Sequence, residues 1–402
     1  MELILDVLNY VLTAIMLGVI IAWIVLIKSM LITFRDTPYL DRFDIKDETK
    51  PKVSVILPAR NEENFIGKCL DSLLDQDYED YEIIAVDDSS QDSTGSIIED
   101  YAKKNSKIIH VSAKPKPEGW MGKNWACIEG YRKSSGELLL CTDSDTKHSR
   151  QIISLAVSHL LSFNLDALTV IPKMLCLDNW TKITLPVIST FLHTRFSATR
   201  VNDPTKKTGY FFGSFFIIKR KVYESVGTHE GVKQELIEDG ALGKKVKDSG
   251  YKLKMVRGEH LVEAVWARNW DTLWNAIKRL MVPFFLQNNR IAVGVFFAIL
   301  FLLLMPFPIL AYSSAFFNLG DSFSLLFFIS AIASILVYFA CIADATKGLG
   351  IKSIHVILIP IGSFIVVAGF LAGILQAKSK TAVTWRGRDY CMKEQVQNSI
   401  SV

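Results

Sequence analysis

Four stretches of this chain, residues 10–27, 291–320, 322–343 and 353–377, contain no Asp, Glu, Lys or Arg. Each is long enough for a helix to cross the roughly 30 Å of bilayer hydrocarbon. The pattern predicts an N-terminal transmembrane anchor over residues 1–34, a C-terminal transmembrane helical bundle over 286–377 and a basic tail over 378–402. Between them the period shortens. Residues 53–57 form an apolar run ended by Pro58, and residues 66–74 then take helical spacing. The alternation continues with strands at 81–86, 107–111 and 137–141 and helices at 92–103 and 123–133. Such alternation predicts an α/β domain over 50–285, built on a mostly parallel, Rossmann-like sheet. Residues 36–50 are polar and charged, as suits a tether along a membrane surface.

Charge order orients the anchor. Glu2 and Asp6 precede the first apolar run and Lys28 and Arg35 follow it, flanks that suit a retained anchor rather than a cleaved signal peptide. Because Lys and Arg collect on the cytoplasmic side, the order predicts an outside N-terminus and a cytoplasmic domain in an integral membrane protein, with the cell membrane as the expected location. Four complete crossings would leave the tail outside, yet Lys378, Lys380, Arg386, Arg388 and Lys393 are a cytoplasmic flank. One segment is therefore expected to be re-entrant or to lie along the interface, and irregular backbone is expected around Pro360, Gly362, Gly369 and Gly373. The 266–274 stretch, with Trp266, Trp270 and Trp274, suits an interfacial helix.

A net charge of +4, with its basic residues dispersed, excludes the dense stripe that nucleic acid requires. The six cysteines lack metal spacing and read as buried thiols. His229, His260 and His355 likewise stand alone.

The chemistry lies in acidic residues at the expected strand ends, where ligands of such sheets bind. Asp87 and Asp88 follow one strand, Asp143 and Asp145 flank Ser144 after another, and Glu238 and Asp239 come just before a helical pattern at 240–248. In extended backbone, carboxylates at i and i+2 face one way and both reach a single hard cation, Mg²⁺ or Mn²⁺. Such a cation would neutralise a departing diphosphate. Asp87 and Asp88 either accept hydrogen bonds from a nucleoside or cap a turn beside Ser89, Ser90 and Asp92. Glu238 and Asp239 supply either a general base or a first-turn pair favoured by the helix dipole. Lys123 meets a phosphate or stands solvated, and Trp120 and Trp125 either pack a glycine-turned loop or wall an acceptor.

The series Pro58-Ala59-Arg60-Asn61-Glu62, Asp87-Asp88, Asp143-Ser144-Asp145 and Glu238-Asp239 resembles the family 2 glycosyltransferases and their GT-A fold. The stretches 119–126 (GWMGKNWA), 217–227 and Trp385-Arg386-Gly387-Arg388 before Tyr390 are similar to the hopanoid-associated and carotenoid glycosyltransferases and to ceramide glucosyltransferases. The resemblance implies a UDP-sugar donor and a lipid acceptor at the membrane. It also implies that Pro58, Ala59, Arg60, Asn61 and Glu62 line the nucleotide pocket, Asp88 contacts the nucleoside, Asp145 binds the metal and Asp239 is the base of an inverting displacement.

One departure stands out. Where many members carry Gln or Arg, two residues and Arg-Trp, this chain reads Ala276-Ile277-Lys278-Arg279-Leu280. The missing Trp argues against a processive polysaccharide synthase. The cation facing the diphosphate is then Arg279, Lys278, or Arg386 and Arg388 of the tail, arginine having the fork that matches phosphate. Two rivals remain at this stage: a synthase that uses a polyprenyl phosphate acceptor, and a non-catalytic membrane scaffold.

Overall fold

Val53–Ala59 (β1) is buried along its whole length, as a strand covered on both faces must be. The computed structural model describes residues 2–43, 50–378, 383–385 and 388–390. The chain forms two compact units. One comprises Thr37–Leu175, Ala198–Trp266 and the described residues of the C-terminal tail; the other comprises the N-terminal helix, Cys176–Ser197 and the region from Ala267 to the end of the last helix.

The first unit is built on a sheet whose further strands are Tyr81–Asp87 (β2), Ile108–Ser112 (β3), Leu138–Cys141 (β4), Ala167–Ile171 (β6), Phe216–Lys219 (β8) and Leu253–Arg257 (β9). Their order is β3-β2-β1-β4-β8-β6-β9. β1 pairs in parallel with both β2 and β4, while β8 runs antiparallel between β4 and β6. Successive strands leave β1 on one side through β2 and β3, and β4 lies on the other. The carboxyl ends of β1 and β4 therefore border a topological switch point, where a crevice for ligands opens. Thr146–His148 (β5), Lys173–Cys176 (β7) and Val262–Ala267 (β10) make a smaller sheet, and the tail segments Val383–Trp385 (β11) and Arg388–Tyr390 (β12) pair antiparallel.

The helices are amphipathic for a mechanical reason. Ile66–Leu74 buries Ile66, Cys69, Leu70 and Leu73, a three-and-four spacing that aims one face at β1 and β2. Glu238–Asp248 begins two residues earlier than expected, so Glu238 and Asp239 form its first turn rather than preceding it.

The second unit holds three helices long and apolar enough to cross a membrane, Leu3–Asp36, Asp321–Lys347 and Ile354–Lys378. A fourth span would be the pair Asn289–Leu304 and Pro306–Ala315, bent by 51°. The bend has a cause. Pro306 has no N–H to offer the carbonyl four residues back, and the Leu302 carbonyl instead accepts the Trp23 indole N–H at 2.9 Å. The break thus falls here, not around Pro360. Ile359–Lys378 is one unbroken helix with Pro360 in its first turn, where a missing donor costs nothing.

The expected 50–285 boundary also needs correction, because Asn179–Arg195 and Trp270–Gln287 belong to the apolar unit. Glycines let these helices come close: a Cβ on Gly362 would stand 2.5 Å from the Ile183 carbonyl, and one on Gly369 2.6 Å from Ile277 Cγ2.

Candidate active site

β1 delivers Pro58 and Ala59 to the crevice, and the loop behind it is fastened to the loop behind β2. Arg60 donates to the carbonyls of Asp88 and Ser89 at 2.5 and 2.6 Å. Asn61 donates from its backbone to Ser90 Oγ at 3.1 Å and accepts from the Gln91 N–H at 2.9 Å, while the Glu62 N–H reaches Thr94 Oγ1 at 2.7 Å. Asn61 and Ser89 hold φ near +53° and +54°, a conformation seldom found outside glycine and one that clusters at functional loops. These residues shape the crevice wall.

The two neighbouring aspartates divide their labour. Asp87 accepts from the Ser90 N–H at 3.1 Å, which is the turn-capping role. Asp88 faces inward, 2 % exposed, with one carboxylate oxygen paired to Arg388 of the tail. Its other oxygen, Oδ1, has no hydrogen-bond partner among the described residues. Burial raises the Asp88 pKa against the pull of Arg388 and Arg60. Tyr390 closes the same corner, its hydroxyl accepting the Gly122 N–H at 3.2 Å. Gly122 is needed there, because a Cβ would meet Tyr390 Oη at 2.6 Å and Asp88 Oδ2 at 2.9 Å.

A second cluster forms beyond the ends of β4 and β8. Lys123 Nζ lies 2.6 Å from Asp143 Oδ1 and 2.6 Å from Glu238 Oε1. Asp239 joins them at Gly213, whose N–H donates to Asp239 Oδ2 at 2.8 Å. A Cβ at Gly213 would stand 2.8 Å from Asp239 Oδ2, 3.0 Å from Lys123 Nζ and 3.3 Å from Asp143 Oδ2. Burial and then the Glu238 charge push Asp239 up to about 7, with Lys123 opposing. Burial works against the Lys123 ammonium, but Asp143, Glu238 and Asp239 outweigh it and hold the group protonated. Three carboxylates face one ammonium, so with Asp239 ionised the cluster carries an excess of negative charge that suits a divalent cation.

The donor set is consistent with such an ion only in part. Asp143 and Asp145 offer hard oxygens, yet Ser144 and Asp145 lie in a turn, not in the extended backbone expected, so the two-residue spacing alone does not align them. Among the described residues no three His, Cys, Asp or Glu side chains form a protein-only metal site. Mg²⁺-type ions commonly take one or two carboxylates and complete their shell with substrate phosphates, and the residues present fit that arrangement.

Other expected residues fall elsewhere. Arg279 and Lys278 belong to the apolar unit, on Trp270–Gln287. Arg386 lies outside the described residues. Trp120 and Trp125 are buried edge to face at 5.1 Å, and the Trp125 indole donates to the Lys114 carbonyl, so both serve packing. His229 bonds Tyr223 Oη at 2.6 Å and burial drives it down to about 3, so it is a neutral core residue. Cys69, Cys127, Cys141, Cys176 and Cys341 are free thiols. Sequence reasoning missed Gly213, Gly122 and Tyr390; a glycine set in the aromatic run Phe211-Phe212-Gly213-Ser214-Phe215 was the available signal for the first.

Comparison with known proteins agrees with this geometry. The family model for glycosyl transferase family 2 matches residues 54–227. The probable glycosyltransferase YdaM of Bacillus subtilis is 34 % identical over 114 residues, 28 % of this chain and 27 % of that protein. The 4,4'-diaponeurosporenoate glycosyltransferase of Staphylococcus haemolyticus is 36 % identical over 111 residues, 27 % of this chain and 28 % of its own. The chain thus spans little more than a quarter of the length of these curated relatives. A mannosyltransferase of Pyrobaculum calidifontis, solved with GDP-Man and Mn²⁺, superposes with a TM-score of 0.51 at 18 % identity, covering 85 % of this chain and 99 % of that one. At that identity the likeness speaks for the fold, and the fold is GT-A. From β1 to the helix after β8, this chain matches the glycosyl transferase family 2 model.

Proposed function

We propose that this protein transfers a sugar from a UDP-sugar to the hydroxyl of a lipid, by a single inverting displacement, at the cytoplasmic face of a membrane. The observation that carries the reading is the convergence of Lys123, Asp143 and Asp239 on Gly213, with Glu238 paired to Lys123, within the unit that also buries the half-satisfied Asp88. Asp88 Oδ1 is a buried acceptor lacking a donor, and the imide N–H of a uracil would supply one. Asp143 and Asp145 would hold Mg²⁺ or Mn²⁺, which when bound offsets charge on the leaving diphosphate. The acceptor oxygen attacks the anomeric carbon as the bond to the diphosphate breaks, and Asp239 takes the hydroxyl proton. A carboxylate raised to about 7 is matched to that task near neutral pH. Lys123 keeps the neighbouring carboxylates compensated, and Arg388 supplies the guanidinium nearest the nucleoside corner.

Connectivity and the charge order of the first helix support this sidedness. Asp6 and Asn9, in the first turns of the N-terminal helix, bond Ser322 at 2.5 and 3.1 Å, and Tyr312 donates to Asn9 at 3.3 Å. At the other end of that helix, Phe34 packs on His193 at 4.9 Å, and His193 pairs with Asp344 at 2.6 Å. Asp321–Lys347 therefore runs parallel to the N-terminal helix, and the bent pair leads to its outer end. That pair is read as a broken crossing, and Lys347 is back on the side where the chain enters the catalytic unit. The segment 354–378 begins six residues later, and the tail after it returns to the catalytic unit. It is read as lying along the interface rather than crossing, giving three crossings and a cytoplasmic tail, in keeping with the tail's basic charge.

A polyprenyl phosphate acceptor is the second reading, favoured by no observation within the site. Its phosphate oxygen is already ionised and needs no base. The test assays wild type and Asp239→Asn with both acceptor classes, with and without chelator. Loss with the hydroxyl acceptor by 10²-fold or more is expected. An undiminished Asp239→Asn rate on the hydroxyl acceptor removes the base assignment, and transfer to polyprenyl phosphate alone, undiminished in that variant, favours the second reading.

A further inference from the structure

Beneath the Asp143-Ser144-Asp145 turn lies a buried polar network with no part in the steps above. Thr142, Thr146 and His148 are 1 %, 3 % and 4 % exposed. Thr142 Oγ1 donates to the Ser214 carbonyl at 2.7 Å, and Thr146 Oγ1 donates to the Asp143 carbonyl at 2.7 Å, closing the turn. Each hydroxyl has one proton, so both are then committed. His148 Nε2 lies 3.0 Å from Thr142 Oγ1 and 3.4 Å from Thr146 Oγ1, and the contact is attractive only if the imidazole donates. The Ser72 hydroxyl on the other side of the ring likewise gives its proton to the Cys69 carbonyl, at 2.8 Å, and stands 3.4 Å from Nδ1; the one proton of a neutral ring serves the shorter contact, which assigns the Nε2–H tautomer. The ring is held from behind by Ser72, whose hydroxyl sits 3.4 Å from Nδ1 and accepts the His148 backbone N–H at 3.2 Å. The Phe215 ring lies 6.0 Å away.

The line of bonds has two ends that matter. One is the turn bearing Asp143 and Asp145. The other is the Ser214 carbonyl, next to Gly213, whose N–H holds Asp239 Oδ2. We propose that His148, donating through Nε2–H to Thr142, is a positioning residue that fixes the spacing between the Asp143–Asp145 turn and the Asp239 carboxylate. The proposal rests on the reading that this turn holds the divalent cation and Asp239 the acceptor proton. Nothing in it requires His148 to touch substrate.

The structural alternative is a satisfied core histidine that any ring of similar shape replaces. The two differ in what restores function. Glutamine carries an N–H at a comparable reach and serine keeps the hydroxyl of Thr142, whereas phenylalanine and valine keep volume and lose the bonds.

The test measures Mn²⁺ binding to the detergent-solubilised full chain in the presence of UDP, by electron paramagnetic resonance, alongside kcat and donor KM. His148→Phe and Thr142→Val are expected to weaken Mn²⁺ binding by about 10- to 100-fold, the usual cost of losing the support of a metal ligand. They are expected to lower kcat more than they raise donor KM, and His148→Gln and Thr142→Ser to stay within about threefold of wild type. Wild-type Mn²⁺ affinity and kcat in His148→Phe or Thr142→Val overturn the proposal. So does a Thr142→Val protein that fails to fold, since the network would then be holding the fold rather than the spacing. Wild type that binds no Mn²⁺ with UDP present overturns instead the metal reading on which the proposal stands.

Discussion

Arg388 donates to the buried carboxylate of Asp88 across 300 residues of chain, so the last described strand of the protein completes the corner where a nucleoside is proposed to sit. Removing that guanidinium leaves a carboxylate that is 3 % exposed without its counter-charge. Arg388→Ala is expected to destabilise the protein by about 3 kcal/mol, the usual scale for orphaning a buried partner. It should also raise donor KM. Denaturant titration and donor-dependent initial rates check both, and an unchanged KM would separate the tail from the donor site.

Gly213 is the point where three functional side chains meet, Asp239, Lys123 and Asp143. Gly213→Ala would place a methyl group 2.8 Å from Asp239 Oδ2 and 3.0 Å from Lys123 Nζ. Both must shift, and misplacements of about 1 Å cost on the order of 10² in rate. A fall of that size in kcat, with the thermal midpoint little changed, is the expected result.

Activity should rise with pH through about 7. Asp239 must be ionised to accept a proton, and its pKa is raised to about 7 by burial and by Glu238. The profile of kcat/KM against pH is therefore expected to have an acid limb near neutrality, lost in Asp239→Asn. A flat profile from pH 5 to 8 would leave Asp239 without the role proposed.

Stability should move the other way on acidification. Burial depresses His148 to about 4, His159 to about 4 and His229 to about 3, below the ordinary value near 6.5. Between pH 6.5 and about 4 the unfolded chain binds protons these imidazoles refuse in the folded one, so stability falls as pH falls. Asp239 and Asp88, both raised in the folded state, take up protons as pH falls and oppose the trend. Three imidazoles against two carboxylates leave a net loss, which urea midpoints at pH 7, 6 and 5 would reveal.

The non-crossing reading of residues 354–378 predicts that cysteines introduced at Gly350 and at Lys378, the two ends of that segment, fall on the same side of the membrane. Both should label with the same impermeant reagent, from the same side, as a cysteine at exposed Lys104 of the catalytic unit. Labelling of Lys378→Cys from the side opposite Gly350→Cys would instead require four crossings.

Strand ends were legible because the central strands are short, wholly buried runs that stop at chemistry-bearing residues, as Val53–Ala59 does before Arg60 and Leu138–Cys141 before Asp143. Local pattern also singled out Asp88, Lys123 and the Glu238–Asp239 pair as candidates. It misplaced the domain edge, because Asn179–Arg195 carries enough polar residues to pass for soluble helix, and its apolar partners come from far along the chain. It put irregular backbone at Pro360, where a first-turn proline does no harm, and overlooked Pro306, where a mid-span proline opens a bend. The Lys123 bridge and the reach of Arg388 to Asp88 are relations between distant segments, and no periodicity encodes them.

The central claim is that the carboxylates gathered at Gly213 serve transfer of a sugar from a UDP donor to a lipid. Its most direct test incubates the purified full chain with radiolabelled UDP-sugars and a total lipid extract, with and without chelator, and identifies any labelled lipid by mass. A labelled glycolipid formed by wild type, lost in chelator and lost in Asp145→Asn and Asp239→Asn, is the predicted result. Label that never enters the lipid fraction, or full transfer in chelator and in both variants, would contradict it.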